Sequence, residues 1–174
     1  YRMPVKRKLG NAAETIFLPE FDGERLRLPS VLGVFPDAEM NRAHYIWLAA
    51  FAANCDVQER PVDPLQADVQ ALALVKQAIE RVWERCSGLQ KFFRDSCEFL
   101  LQTRKRPSLP EWEAAVEAIV LELLGGPRAV TSTSATIRKA MECIDERWKL
   151  TAPRGYCSFA PVPIWVSSAL VNGE

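Results

Sequence analysis

His44 is the single histidine of the chain, so any acid–base or metal chemistry has to start from it. A histidine base needs a nucleophile or a carboxylate within hydrogen-bond reach. On a helix its i±3 and i±4 neighbours are Met40, Asn41, Trp47 and Leu48, which supply neither. A histidine hydrogen-bonded at a helix face is the plainer reading. Five cysteines, Cys55, Cys86, Cys97, Cys143 and Cys157, are widely spaced and include no Cys-x-x-Cys pair. That pattern fits neither a zinc site nor a disulfide framework, and Cys86, Cys97 and Cys143 read as buried reduced thiols in amphipathic patterns. Glu-x-x-His is absent. Thr131-Ser132-Thr133-Ser134 lacks the aspartate of an Asp-x-Ser-x-Ser metal loop, and Gly125-Gly126-Pro127 is not followed by the Gly-Lys-Ser/Thr of a phosphate loop. The expectation is a chain without catalytic, cofactor or metal residues of its own.

Two features point instead to binding. Five tryptophans and eight phenylalanines are a large aromatic load; most belong in a core, and one or two can anchor a partner. Arg104-Lys105-Arg106 offers three cations to an acidic partner, or to the carbonyls at a helix C-terminus.

The positioning elements are read from period and punctuation. In 174 residues with 48% hydrophobic content, a full single-domain core is expected. Lys plus Arg equals Asp plus Glu at 22 each, which argues against a general nucleic-acid binder and gives no reason to expect a membrane surface. The N-terminus lacks the apolar run of a signal peptide, and a start at Tyr1 suggests a fragment of something longer.

Residues 37–55 predict a helix capped by Asp37 and apolar all round from Tyr45 to Ala53, too short to span a bilayer, and so expected at the centre of the fold. Asp63-Pro64 predicts the start of a long amphipathic helix through Leu65, Val69, Leu72, Val75, Ile79 and Cys86, with Gln66 and Gln70 outward and Gly88 in the left-handed position beyond its end. A third helix runs from Leu89 to about Thr103. Ser108 to Glu111 reads as a capping box for a fourth, ended by Gly125-Gly126-Pro127. Ser134 is the expected cap of a fifth, continuing to Trp148 with Ile137, Met141, Ile144 and Trp148 on one ridge.

The expected fold class is all-α: a bundle of about five helices over residues 37–150. Extended, proline-rich arms over 1–36 and 151–174 pack on it. Thr15 to Leu18 and Glu24 to Leu28 can form an edge hairpin around Asp22-Gly23, and Arg2, Lys6, Arg7 and Lys8 a solvated terminus. Tyr156, Phe159, Ile164 and Trp165 are expected to dock the tail.

One stretch carries a resemblance. VFPDAEMNRAHYIWLAAFAA, residues 34–53, resembles a segment in the N-terminal region of the CbbO and NorD proteins. Phe35, Pro36, Asp37, Glu39, Asn41, Arg42, Tyr45, Trp47, Leu48, Ala49 and Ala50 carry the likeness. IFLPEF upstream and PVPIW at Pro161 to Trp165 are weaker echoes. The resemblance implies a cytoplasmic, non-enzymatic helical adaptor docking on a hexameric MoxR-type AAA+ ATPase. The von Willebrand A domain of such proteins, with its metal loop, lies outside these residues. The CbbO type is favoured, with Rubisco as the remodelled target and carboxysome association as a corollary; the NorD type, a maturation factor for nitric oxide reductase, is the alternative. Asn41, Arg42, Tyr45 and Trp47 are then the motif residues that meet a partner, with Arg104, Lys105 and Arg106 as contacts for an acidic one. From the residues alone, a buried pair of Arg42 with an acid on a neighbouring helix is the plainer reading. An enzyme or ligand-binding domain with a polar pocket around His44, Glu39 and Arg42 is the reading from a different class.

Overall fold

The structure, a computed structural model, describes residues 18–170. The basic cluster at Arg2, Lys6, Arg7 and Lys8 and the expected strand residues Thr15 to Phe17 lie outside them. Six α-helices follow one another: α1 Ala38–Ala53, α2 Pro64–Arg85, α3 Gln90–Thr103, α4 Glu111–Leu123, α5 Ser132–Glu142 and α6 Ile144–Trp148. A single 3-10 turn, Ser87–Leu89, joins α2 to α3. Four two-residue strands decorate the bundle: β1 Glu20–Phe21, β2 Leu26–Arg27, β3 Gln58–Glu59 and β4 Ala169–Leu170. The all-α bundle expected from the sequence is the fold observed.

The centre of that bundle is α2, and not α1 as expected. α2 packs against α1, α4, α5 and α6, whereas α1 packs chiefly against α2 and α3. Asp63 starts α2 as the sequence indicates, its Oδ1 accepting from the N–H groups of Leu65 and Gln66. Around it Leu65, Val69, Leu72 and Ala78 are buried with Val116, Ile119, Ile137 and Leu150. Gln70, expected outward, is buried as well, its amide Nε2 donating to the Glu59 carbonyl at 2.9 Å. On α1 one side is buried through His44, Trp47, Leu48 and Phe51, but Ile46 is 61% exposed and Ala49 and Ala53 face solvent. Alanine is small enough to be indifferent between core and surface, so its abundance in α1 mimics burial on every side.

Three helix boundaries differ from expectation. α4 begins at Glu111 with Pro110 as an N-cap that makes no side-chain bond, leaving Ser108 a turn away and exposed. The residue before a proline is pushed out of the α region, so Leu109 cannot open the helix that the capping box requires. α5 is capped by Thr131, whose Oγ1 accepts from the Ser134 N–H at 3.1 Å; Ser134 sits inside the first turn. The last predicted helix is broken at Cys143, whose backbone is extended (φ −127°, ψ 116°). Arg147, buried beneath the break, donates from Nε to the Ala140 carbonyl and from Nη2 to that of Met141, so the end of α5 is satisfied without a helical continuation. Gly88, for its part, lies in the 3-10 turn and is not among the glycines with positive φ. Gly125 (φ +83°) and Gly126 end α4 as expected. Their N–H groups donate to the carbonyls of Glu122 and Leu121, and a Cβ at Gly126 would stand 2.8 Å from the Leu121 oxygen.

The arms close the bundle. β1 and β2 form the expected antiparallel hairpin, though β1 starts later than Thr15 to Leu18, with Phe21 opposite Leu26. Asp22 Oδ1 accepts from the Glu24 and Arg25 N–H groups, and Gly23 takes φ +97°. The tail runs alongside: Phe21 N–H donates to the Ser167 carbonyl and Ser167 N–H to that of Pro19, after which β4 pairs in parallel with β3. Ile164 and Trp165 are buried, while Tyr156 and Phe159 are half-buried. No described helix is long and apolar enough to cross a membrane.

Candidate partner-binding face

α1 holds both arms, and the motif residues are its hooks. Asn41, at the second turn, accepts from the Phe35 N–H at 3.0 Å and donates from Nδ2 to the Phe35 carbonyl at 2.6 Å. One turn on, the Tyr45 hydroxyl accepts from the Leu32 N–H at 3.0 Å and donates to the Ser30 carbonyl at 3.4 Å. Residues 30–35 have no strand or helix partner, so these side chains stand in for the missing backbone ladder. On the buried side, His44 Nε2 lies 2.9 Å from the Pro163 carbonyl, and Trp47 Nε1 donates to the Ile164 carbonyl at 2.7 Å.

A carbonyl can only accept, so the Pro163 bond fixes the proton of neutral His44 on Nε2. Its Nδ1 is buried without a hydrogen-bond partner among the described residues. The rings of Phe35 and Phe92 flank the imidazole, with centroids at 5.4 and 6.1 Å. Burial holds its pKa below the ordinary histidine value against the opposing pull of the Pro163 carbonyl. This is a structural histidine locked in its neutral form.

The four motif residues therefore divide. Trp47, expected as a partner contact, is 1% exposed and stacked on Phe93 with centroids 5.0 Å apart; it is core. Asn41 and Tyr45 are committed to the N-terminal arm. Arg42 alone projects, and its ion pair is with Glu39 on its own helix at 2.8 Å, not with an acid on a neighbour. With Ile46, Ala49 and Ala53 it forms an exposed stripe at i, i+4, i+7 and i+11, mostly apolar and edged by Glu39.

The basic triplet divides too. Arg104, expected to grip an acidic partner, is 10% exposed in its side chain. It pairs bidentately with Glu117, Nε to Oε1 at 2.5 Å and Nη2 to Oε2 at 2.9 Å, and donates to the carbonyls of Ala160 and Pro161. Lys105 and Arg106 are exposed. The expected three-cation grip is thus two cations beside an internal tie.

Sequence reasoning missed a set of carboxylates that tie down the tail. Asp63 Oδ2 accepts from the Ala152 N–H at 2.9 Å. Asp68 Oδ2 accepts from the Tyr156 hydroxyl at 2.9 Å and the Phe159 N–H at 3.3 Å, and Glu113 Oε1 from the Cys157 N–H at 3.3 Å. Burial, and then the Asp68 carboxylate beside it, push the Tyr156 phenol well above its usual range. A signal existed: Asp68 is three residues after Leu65 and four before Leu72, and Glu113 three before Val116, so both acids stand on buried ridges.

The polar pocket expected around His44, Glu39 and Arg42 does not form, because His44 is sealed while the other two side chains stand in solvent. A shallow cavity of about 270 Å³ lies elsewhere, between α3 and the end of α4, lined by Phe93, Cys97, Leu101 and Leu124 with Arg94 and Glu98. Burial pushes its Cys97 thiol up to about 12, far from a reactive thiolate.

The chain is similar over nearly all its length to proteins named NorD. It is 29% identical to Protein NorD of Brucella suis over 168 residues, 95% of this chain and 25% of that protein. It is 32% identical to Protein NorD of Stutzerimonas stutzeri over 111 residues, 63% of this chain and 16% of that protein. An uncharacterised protein of Pseudomonas aeruginosa is 56% identical over 34 residues, 20% of this chain and 6% of that protein. The chain thus spans about a quarter of the length of the Brucella relatives that it matches. No family model matches the chain, and no solved structure matches it. A relation to the CbbO and NorD proteins is supported, but the preference for the CbbO type is overturned, since the relatives aligned across 95% of the chain carry the NorD name. Rubisco activation and carbon fixation fall with it, and the carboxysome association loses its basis.

Proposed function

We propose that this chain is the helical, protein-binding part of a NorD-type maturation factor for nitric oxide reductase. In this reading it acts in the cytoplasm, catalyses nothing itself and docks on a hexameric MoxR-type AAA+ ATPase that supplies the ATP hydrolysis. The observation that carries the reading is the 29% identity to a NorD protein over 95% of the chain. The geometry of α1 supports it: a motif that spends Asn41, Tyr45, His44 and Trp47 on holding two arms keeps the outer stripe rigid, and rigid surfaces lose little entropy on docking.

The test uses the full-length parent polypeptide and its ATPase. Co-migration of the two on size exclusion is the expected result. Arg42→Glu combined with Ile46→Glu should abolish it while leaving the melting temperature within a degree or two, because both side chains are exposed. In a strain deleted for the parent gene, nitric oxide reductase activity should be lost and return with the wild-type gene only. Unimpaired reductase in the deletion strain removes the maturation role; failure of the wild-type pair to co-migrate removes the adaptor role.

A further inference from the structure

His44 is the one side chain of this sequence whose ordinary pKa lies between about pH 5 and 8. It is fully buried, and three elements close over it. The N-terminal arm sets Phe35 in a T-shaped contact with the imidazole, centroids 5.4 Å apart. α3 contributes Phe92, and the tail contributes the Pro163 carbonyl. None of the three brings a charge to the ring. Residues 28–36 and 158–170 contain no titratable side chain. On α1 Glu39 pairs with Arg42 in solvent, and on α3 Lys91 pairs with Asp95. Asp37, Arg94 and Glu98 are exposed. Burial and the Pro163 carbonyl are accordingly the two influences on the ionisation of His44.

A second proton on this ring acts differently at its two nitrogens. The imidazolium has no counter-ion, and an Nδ1–H has no acceptor, because Nδ1 is without a partner among the described residues. Nε2 goes on donating to Pro163, in a bond that the charge strengthens. Protonation therefore tightens the tail and calls for water at the other nitrogen. Phe92 yields only if the hydrogen-bond ladder of α3 breaks. Phe35 is held less firmly. Residues 30–35 have no backbone ladder, and their hydrogen bonds go to two side chains, Asn41 and Tyr45. We propose that protonation of His44 lifts residues 30–36 off α1 while the tail and the helices stay in place. The lifted arm uncovers Phe92 and Phe99, whose rings stand 5.9 and 5.4 Å from that of Phe35. It also frees Asn41 and Tyr45, so that acid remakes the surface at the start of α1.

The sign follows from linkage. With the arm closed, burial holds the proton off; with the arm lifted, His44 titrates near its ordinary value of 6.5. Opening is therefore favoured as the pH falls below that value. The test is residue-resolved hydrogen exchange in the full-length parent polypeptide, each rate corrected for the exchange of an unstructured chain at the same pH. Between about pH 7.5 and about pH 5.5, protection at the Leu32 and Phe35 amides should fall by about tenfold at most, the limit for uptake of one proton. The amides of Trp165 and Ser167 and those within α2 should keep theirs. His44→Gln supplies an amide N–H for the Pro163 carbonyl and does not titrate, so the fall should vanish there. Unchanged protection at Leu32 and Phe35 would overturn the proposal. So would an equal fall at Trp165 or across α2, which would mean that the whole fold opens, or the same fall in His44→Gln. If that variant does not fold, the contrast between arm, tail and α2 in the wild-type chain decides alone.

Discussion

Trp47 Nε1 donates to the carbonyl of Ile164, a residue 117 positions later, at 2.7 Å in a site from which water is excluded. Three residues before it, His44 reaches the neighbouring carbonyl of Pro163. One turn of α1 thus fastens the end of the chain. Truncation of Trp47 to alanine removes a fully buried indole and orphans a carbonyl, and should cost about 3–5 kcal/mol. Trp47→Phe keeps most of the packing and loses chiefly the hydrogen bond, for about 1–2 kcal/mol. Urea denaturation of the two variants checks both values and their order.

The neutral lock on His44 predicts a pH dependence. Its pKa is lowered in the folded state, chiefly by burial, while the unfolded chain titrates near the ordinary value of 6.5. Protons are then bound more readily by the unfolded chain. The contribution of neutral His44 is complete above about pH 6.5 and is lost as the pH falls through that value toward the lowered one. The urea midpoint should therefore drop between about pH 7.5 and about pH 5.5, before most carboxylates titrate. In His44→Phe the drop over the same interval should be smaller.

The basic triplet should split in mutagenesis as it does in space. Arg104→Ala leaves Glu117 as an uncompensated, largely buried charge and frees two tail carbonyls, for about 3–5 kcal/mol. Lys105→Glu and Arg106→Glu should each stay within about 0.5 kcal/mol. Thermal denaturation of the three proteins decides; equal effects would mean that the Arg104–Glu117 pair does not hold the tail.

Caps give a cheaper contrast. Thr131→Ala removes the hydroxyl that receives the Ser134 N–H and should cost about 1 kcal/mol. Ser108→Ala, at the position that the sequence presents as a cap, should be neutral. Asp63→Ala should exceed both, because that carboxylate caps α2 and also receives the Ala152 N–H. Chemical denaturation of the three variants orders them.

What the sequence discloses follows from how local each cause is. Asp63-Pro64 and Gly125-Gly126 announce an α2 start and an α4 end because cap and stop act within a turn. The break at Cys143 is silent, since no glycine or proline marks it and Ile137, Met141, Ile144 and Trp148 keep an unbroken helical period. At the break Arg147 satisfies the freed carbonyls, and its burial depends on tertiary packing. The candidate face is half legible. The motif locates α1, but residue type alone does not separate Arg42, which projects, from Asn41 and Tyr45, which hold residues 30–35. Asp68 and Glu113 escape any reading that assigns charge to the surface. A carboxylate on a buried ridge signals a backbone to be tied, and for Asp68 that backbone lies 91 residues downstream at Phe159.

The grip of α1 on Pro163 and Ile164 also sets an order of events during synthesis. At about 5–20 residues per second, roughly 6–23 seconds separate the emergence of Trp47 from that of its acceptor. For that interval Trp47 has Phe93 of α3 to stack on but no acceptor for its indole N–H. A chain ended before Pro163 would leave the Trp47 Nε1 and His44 Nε2 donors without these acceptors in an apolar setting.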